Sequence, residues 1–277
     1  MNITAKTKLC IIIGDPVEHS LSPAMHNAAY QALGIDNEFV FVASQVKGGK
    51  VKDVVTAMRV MGFRGLTCTI PHKMEVIQYL DEIDPIAQKI GAVNTVVNDN
   101  GILKGYNTDW LGVVTPLEKI TTLKDKNVAL IGAGGAARAC GYGVTQRGAN
   151  LTIFNRTLEK AEALARALDH HVETRRASSL SDGLDDFDII LNATSIGMGK
   201  DEGGSPVPAS VIKKHHIVFD AVYVPYETQL LTNAKAVGAT IIHGTEMLLH
   251  QGTAQFKLYT GHEAPEQVMR EVLINSI

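Results

Sequence analysis

Gly132-Ala133-Gly134-Gly135-Ala136-Ala137 is the run whose chemistry is easiest to read. It follows the apolar stretch Val128-Ala129-Leu130-Ile131 and opens a segment of helical spacing that reaches Arg147. The pattern is G-x-G-x-x-A between a strand and a helix. The first glycine permits a tight turn, the second lets backbone approach a pyrophosphate, and Ala137 is small enough for the helix to lie close to the sheet. Free N–H groups at the helix start then face the phosphates. An acid about 20 residues further on, at the end of the next strand, would hydrogen-bond a ribose 2′-hydroxyl. Here that place holds Asn155-Arg156-Thr157, with Lys160 close behind. No carboxylate repels a 2′-phosphate, and a guanidinium can bind one. The expected cofactor is therefore NADP rather than NAD. The plainer reading is a glycine-rich turn beside a solvated arginine.

A second set of polar clusters lies in the first half, each after an apolar run. His19-Ser20-Leu21-Ser22-Pro23 follows Leu9–Ile13, and Thr69-Ile70-Pro71-His72-Lys73 follows Leu66–Cys68. Gly91-Ala92-Val93-Asn94-Thr95 and Gly105-Tyr106-Asn107-Thr108-Asp109 flank the turn Asp99-Asn100-Gly101. Open α/β sheets place their sites at the carboxyl ends of strands. Ser22-Pro23 reads as an N-cap followed by proline at the first helical position. Two hydroxyls, Ser20 and Ser22, with the free N–H groups of that helix start, could hold a carboxylate without a cation.

The elements that must position these residues alternate. Strands are expected at Leu9–Ile13, Phe39–Val42 and Leu66–Ile70, with helices at Ser22–Leu33, Val51–Met61 and His72–Leu80. Asn100-Gly101 is a strong hairpin signal between Val93–Val97 and Ile102–Leu103. A second alternation starts near Lys126, with strands at Val128–Ile131, Leu151–Phe154, Asp188–Leu191 and Ile217–Phe219. Glu246–Tyr259 and Glu266–Ile274 read as terminal helices. Strands alternating with helices predict crossover units and largely parallel sheets. The fold class is α/β in two domains.

Composition narrows the function. The chain has 277 residues, 45% hydrophobic and 20% charged, with net charge −3 and no dense Lys/Arg run. A broad electrostatic grip on nucleic acid or acidic lipid is disfavoured. Cys10, Cys68 and Cys140 are far apart, form no Cys-x-x-Cys pair and leave an odd thiol, which favours a reducing, cytoplasmic setting. The first six residues lack the apolar core of a signal peptide. His170-His171 and His215-His216 are adjacent pairs that point apart on regular structure, and no metal site is expected.

Taken together, Ser20 and Ser22, Thr69 to Lys73, Asn94, Asn107 to Asp109, Gly132 to Ala137, Asn155 to Thr157, Asn192-Ala193-Thr194, Asp220-Ala221-Val222-Tyr223 and Met247 to Gly252 resemble the shikimate dehydrogenase family over nearly the whole chain. The resemblance implies NADPH-dependent reduction of 3-dehydroshikimate to shikimate, in aromatic amino-acid biosynthesis. It implies a substrate-binding, catalytic domain over residues 1–108, onto which 244–277 pack back, and a Rossmann-like NADP domain over 109–243. By motif match Ser20, Ser22, Thr69, Lys73, Asn94, Asp109 and Gln251 would hold the substrate, with Tyr223 close to it. Gly132, Ala133, Gly134, Gly135, Ala136, Asn155, Arg156, Thr157, Lys160, Thr194, Ala221 and Gly244 would hold NADP, Gly244 at the nicotinamide end. Ala221 departs from the methionine that some relatives carry there.

Lys73 and Asp109 are the expected catalytic pair. Carbonyl reduction needs a proton delivered as the oxygen becomes an alkoxide. A partly buried lysine can supply it, with the carboxylate holding the ammonium. Lys73, placed in the first turn of the expected helix, would oppose the macrodipole. The expected partner is a small hydroxylated acid, with no nucleic acid or membrane, and the working form a monomer or homodimer. The rivals are a quinate/shikimate dehydrogenase using NAD and a non-catalytic ligand sensor on the same scaffold. Arg156 speaks against the first, Lys73 with Asp109 against the second. A folate-type methylene dehydrogenase shares the two-domain plan, but the Ser-Leu-Ser and Asn-Thr-Asp motifs suit a pterin less well.

Overall fold

A computed structural model describes residues 3–168 and 172–277, so the His170-His171 pair lies outside the described residues. In chain order the elements are β1 (Lys8–Gly14), α1 (Ser22–Ala32), β2 (Phe39–Gln45), α2 (Val51–Met61), β3 (Gly65–Cys68), β4 (Glu82–Ile83), α3 (Pro85–Ile90), β5 (Thr95–Asp99), β6 (Ile102–Tyr106) and α4 (Asp109–Glu118). They continue as β7 (Asn127–Ile131), α5 (Gly135–Thr145), β8 (Asn150–Asn155), α6 (Leu158–Ala167), β9 (Glu173–Arg176), β10 (Ile189–Asn192), β11 (Ile217–Asp220), α7 (Gln229–Ala236), β12 (Thr240–Ile242), α8 (Gly244–Thr260) and α9 (Glu266–Asn275). Two compact units result: Met1–Thr108 with Gln251–Ser276, and Asp109–His250 with Ile277.

The first unit is built on a six-stranded sheet, ordered β2-β1-β3-β5-β6-β4. Strands β2, β1 and β3 run parallel, β5 is antiparallel to both β3 and β6, and β4 is parallel to β6. One core joins Ile13, Leu66, Val96 and Leu103 to Val51, Val55 and Met58 of α2 and Ala87 of α3. Another is aromatic: His26 and Tyr30 of α1 pack with Phe41 of β2 and with Phe256 and Tyr259 of α8. The sheet turns antiparallel where β5 pairs with β3, and the hairpin then returns β6 to the direction of β3.

Two local expectations need correction here. Residues 71–74 form a turn and only Glu75–Tyr79 wind, as a 3-10 helix, so no α-helix runs from His72 to Leu80. The His72 N–H bonds Thr69 O at 2.8 Å and its buried ring bonds Val46 O at 2.7 Å, which pins the chain in a turn. Likewise Ser22 is the first helical residue and makes no capping bond; Leu21 occupies the cap position.

The second unit carries six strands, all parallel, in the order β12-β11-β10-β7-β8-β9. From β7 the chain winds outward through β8 and β9, then returns to β10 and winds the other way. Such a reversal leaves a crevice at the carboxyl ends of the two central strands, β7 and β10. Helix α4 packs on α5, with Trp110 edge-on to Tyr142 at 6.1 Å.

Candidate active site

In the second unit the glycine turn sits at that crevice. Gly132 has φ +116°, and a Cβ there would lie 3.1 Å from both Ala193 O and the Thr194 methyl. A side chain is thus excluded by backbone conformation and by the neighbouring strand end together. Its N–H bonds Phe154 O at 2.8 Å, tying the turn to β8 as well. The ends of β10 and β11 are locked by a buried polar set. Asn192 donates to Asp220 (2.8 Å) and accepts from the Thr194 hydroxyl (2.7 Å), while Thr228 donates to Asp220 (2.6 Å). Burial raises the Asp220 carboxyl above its ordinary value despite these donors. Gly244 lies against the same region: a Cβ would meet Val222 O at 2.3 Å, so only glycine lets α8 start there.

These residues fit a dinucleotide phosphate. Gly134, the N-cap of α5, provides no side-chain cap for the helix N–H groups, and a Cβ on it would meet nothing within 4 Å. The space over the helix start is open and its donors face it. Beyond β8, the Asn155 amide bonds Thr157 O at 2.7 Å and shapes the turn that carries Arg156. Arg156 and Lys160 are exposed and have no carboxylate partner among the described residues. Ala133 and Ala221 follow the ends of β7 and β11, and Gly135 and Ala136 open α5.

In the first unit, antiparallel pairing brings the polar motifs to one sheet edge. Because β5 runs opposite to β3, its start lies beside the end of β3; because β6 runs opposite to β5, its end lies there too. Thr69 and Lys73 after β3, Asn94 before β5, and Thr108 after β6 therefore share an edge. Backbone bonds stitch it: Val93 N–H to Lys73 O (2.8 Å), Asn94 N–H to Tyr106 O (3.1 Å) and Cys68 N–H to Asn94 O (2.8 Å). The Asn94 side chain, 1% exposed, accepts from Thr108 N–H (2.9 Å) and the Thr95 hydroxyl (2.8 Å). It donates to the Thr108 hydroxyl (2.9 Å) and to Gln251 Oε1 (3.4 Å). Gln255, one turn further along α8, donates to Thr95 at 2.9 Å. Ser20 and Ser22 stand where β1 gives way to α1, with Ser22 N–H on Ser20 Oγ at 3.4 Å.

Thr95, Thr108 and Gln255 are network members that sequence reasoning does not single out. Thr108 stands inside a motif it does quote, whereas Gln255 is one helical amide among others and carries no local signal. Asp109, 4% exposed, opens α4 in the second unit, directly after Thr108 in the chain. Tyr223 is half-buried in the second unit, and burial raises its phenol above its ordinary range. The three cysteines form no disulfide and are buried, and burial pushes the Cys10 and Cys68 thiols up to about 12, which removes them as thiolate nucleophiles. Among the described residues no group of three or more His, Cys, Asp or Glu is placed to hold a metal ion.

The second unit is a doubly wound dinucleotide-binding fold of the Rossmann class, attached to a smaller α/β unit with a polar sheet edge. Family models match in three stretches: a shikimate dehydrogenase substrate binding domain over residues 12–96, a shikimate / quinate 5-dehydrogenase over 116–198, and a shikimate 5′-dehydrogenase C-terminal domain over 244–274. The shikimate dehydrogenase (NADP(+)) of Methanocaldococcus jannaschii is 44% identical over 282 residues, covering 99% of each chain. A shikimate dehydrogenase crystallised in complex with NADP+ is 43% identical with TM-score 0.93, over 99% of this chain and 97% of the other. That of Thermus thermophilus, crystallised with NADP(H) and shikimate, is 33% identical with TM-score 0.88, over 98% of this chain and 100% of the other. The chain belongs to the shikimate dehydrogenase family.

Proposed function

We propose that the protein is an NADP-dependent shikimate dehydrogenase, reversibly reducing 3-dehydroshikimate to shikimate in the route to chorismate. The first unit holds the hydroxylated acid and the second holds NADP. The observation that carries this reading is the shared sheet edge, where Lys73, Thr69 and the Asn94 hydrogen-bond network stand together. Asn94, Thr69 and Gln251 bind ring hydroxyls, for which a missing hydrogen bond is costly and confers specificity. Ser20 and Ser22 hold the carboxylate, and Tyr223 is a further candidate substrate residue. Lys73 and Asp109 handle the proton, with Lys73 donating from Nζ to the carbonyl oxygen as that oxygen gains charge. NADPH, when bound, supplies the hydride. Arg156, Thr157 and Lys160 hold its 2′-phosphate, the glycine turn its pyrophosphate, and Thr194, Ala221 and Gly244 line its other end. Each unit carries its own ligand groups, which suits a monomer or a homodimer. Three buried cysteines in no disulfide suit the cytoplasm.

The test is NADP reduction with shikimate beside NAD reduction with quinate. A kcat/KM ratio strongly favouring the first pair is expected; the reverse order establishes the quinate reading. Lys73→Met should lower kcat by about 10²–10⁴-fold, the usual worth of a positioned proton donor. Its affinity for 2′,5′-ADP should stay at the wild-type value by titration calorimetry. Turnover near wild type removes Lys73 from the proton step.

A further inference from the structure

We infer that Arg176 is a further binding residue for the cofactor's 2′-phosphate, set beside Arg156 by the register of an edge strand; the inference rests on the NADP reading above. Strand β9 pairs in parallel with β8, and the paired residues are Phe154 with Arg175 and Asn155 with Arg176. Neighbouring strands lie about 4.8 Å apart, and paired side chains share a face while successive ones alternate. Arg175 uses its face fully. Its guanidinium lies 5.9 Å from the centroids of both Phe154 and Phe187, and it pairs with Glu173 at 3.0 Å. Arg176 therefore takes the opposite face, the face of Asn155, whose amide shapes the turn that carries Arg156.

Arg176 is also exposed and has no carboxylate partner among the described residues, like Arg156 and Lys160. Glu159, the acid nearest Arg156 and Lys160 in sequence, pairs with none of the three, and Glu173, the acid nearest Arg176, pairs with Arg175 instead. Arg156 and Arg176, at the carboxyl ends of two adjacent strands, and Lys160, in the first turn of α6, are uncompensated cations whose repulsion a phosphomonoester dianion relieves. A guanidinium offers the dianion paired N–H donors that an ammonium lacks.

The experiment is titration calorimetry on the full chain with 2′,5′-ADP and with 5′-ADP, which differ in the 2′-phosphate. Wild type should bind 2′,5′-ADP more tightly. Arg176→Ala should weaken 2′,5′-ADP by about tenfold, as loss of a hydrogen bond to a charged group does. Its 5′-ADP affinity should stay unchanged, and Arg176→Lys should recover part of the loss. Arg175→Ala serves as the control: thermal stability falls while the 2′,5′-ADP to 5′-ADP ratio holds. A ratio in Arg176→Ala within about twofold of wild type, too small for any lost charged contact, overturns the assignment. So does equal weakening of both nucleotides. If Arg156→Ala erases the preference while Arg176→Ala does not, the NADP reading stands without Arg176. A wild type without preference sinks the NADP reading itself.

Discussion

At the scale of single residues, the least expected group is His26. It is fully buried, stacked on Phe41 with ring centroids 4.4 Å apart, and neither ring nitrogen has a hydrogen-bond partner. Burial drives its pKa from 6.5 down to about 3. The unfolded chain takes up a proton near pH 6.5, whereas the folded chain resists it until about pH 3. Stability from the neutral ring is thus fully present above pH 6.5 and is lost progressively as pH falls toward 3. His26→Phe keeps the stacked shape and removes the titration. Urea melts across this window should show the variant gaining on wild type as pH falls, by on the order of 1 kcal/mol per pH unit. Parallel curves for the two proteins would contradict the burial argument. Nothing in Met25-His26-Asn27 marks this histidine as a core residue; only its helix's face does.

At the scale of elements, α8 carries the substrate unit's internal wiring. Gln251 reaches Asn94 across 157 residues of chain, and Gln255 reaches Thr95 across 160. Gln255→Leu leaves the buried Thr95 hydroxyl without its donor and lets Asn94 reorient. Leaving such a group unsatisfied costs about 1–3 kcal/mol. The expected outcome is a several-fold rise in KM for shikimate with a smaller change in kcat, unchanged 2′,5′-ADP affinity and a lower melting temperature. A lower melting temperature with unaltered KM would make Gln255 a packing residue alone. The turn at residues 71–74 makes the same point. Its sequence reads as helix, yet the His72 ring finds Val46 O, and Lys73 is held by a turn rather than exposed to a helix dipole.

At the scale of the whole molecule, apart from the single terminal residue Ile277, the chain passes between units twice, once at Thr108–Asp109 and once within α8 at His250–Gln251. Each unit has its own sheet and core. Hydrogen exchange can therefore assign the ligands to units. Shikimate should slow exchange at residues 69–76, 94–95 and 251–255, and 2′,5′-ADP at 132–138 and 155–160, because bound ligand raises the free energy of opening its own site. Protection by shikimate appearing in the second stretch and not the first would reverse the assignment of units. The boundary inside α8 falls at Gln251, seven residues after Gly244, where the family resemblance places the start of the returning segment.

Much of the protein is written in contiguous residues. Apolar runs, Gly132-Ala133-Gly134, Asn155-Arg156-Thr157 and Asn100-Gly101 each act through neighbours in the chain, so the alternation, the glycine turn and the cofactor type were legible from the sequence. Strand β9 was not. Glu173-Thr174-Arg175-Arg176 has no apolar alternation because it is an exposed edge, and only pairing with β8 makes it a strand. The Asn94 network, the sheet edge that unites Thr69, Lys73 and Thr108, and the two opposite fates of Arg175 and Arg176 were decided by register between segments far apart. A residue's type states what it can bond to. Which partner it meets depends on how distant strands align, and a shift of one residue would turn each of those side chains to the other face.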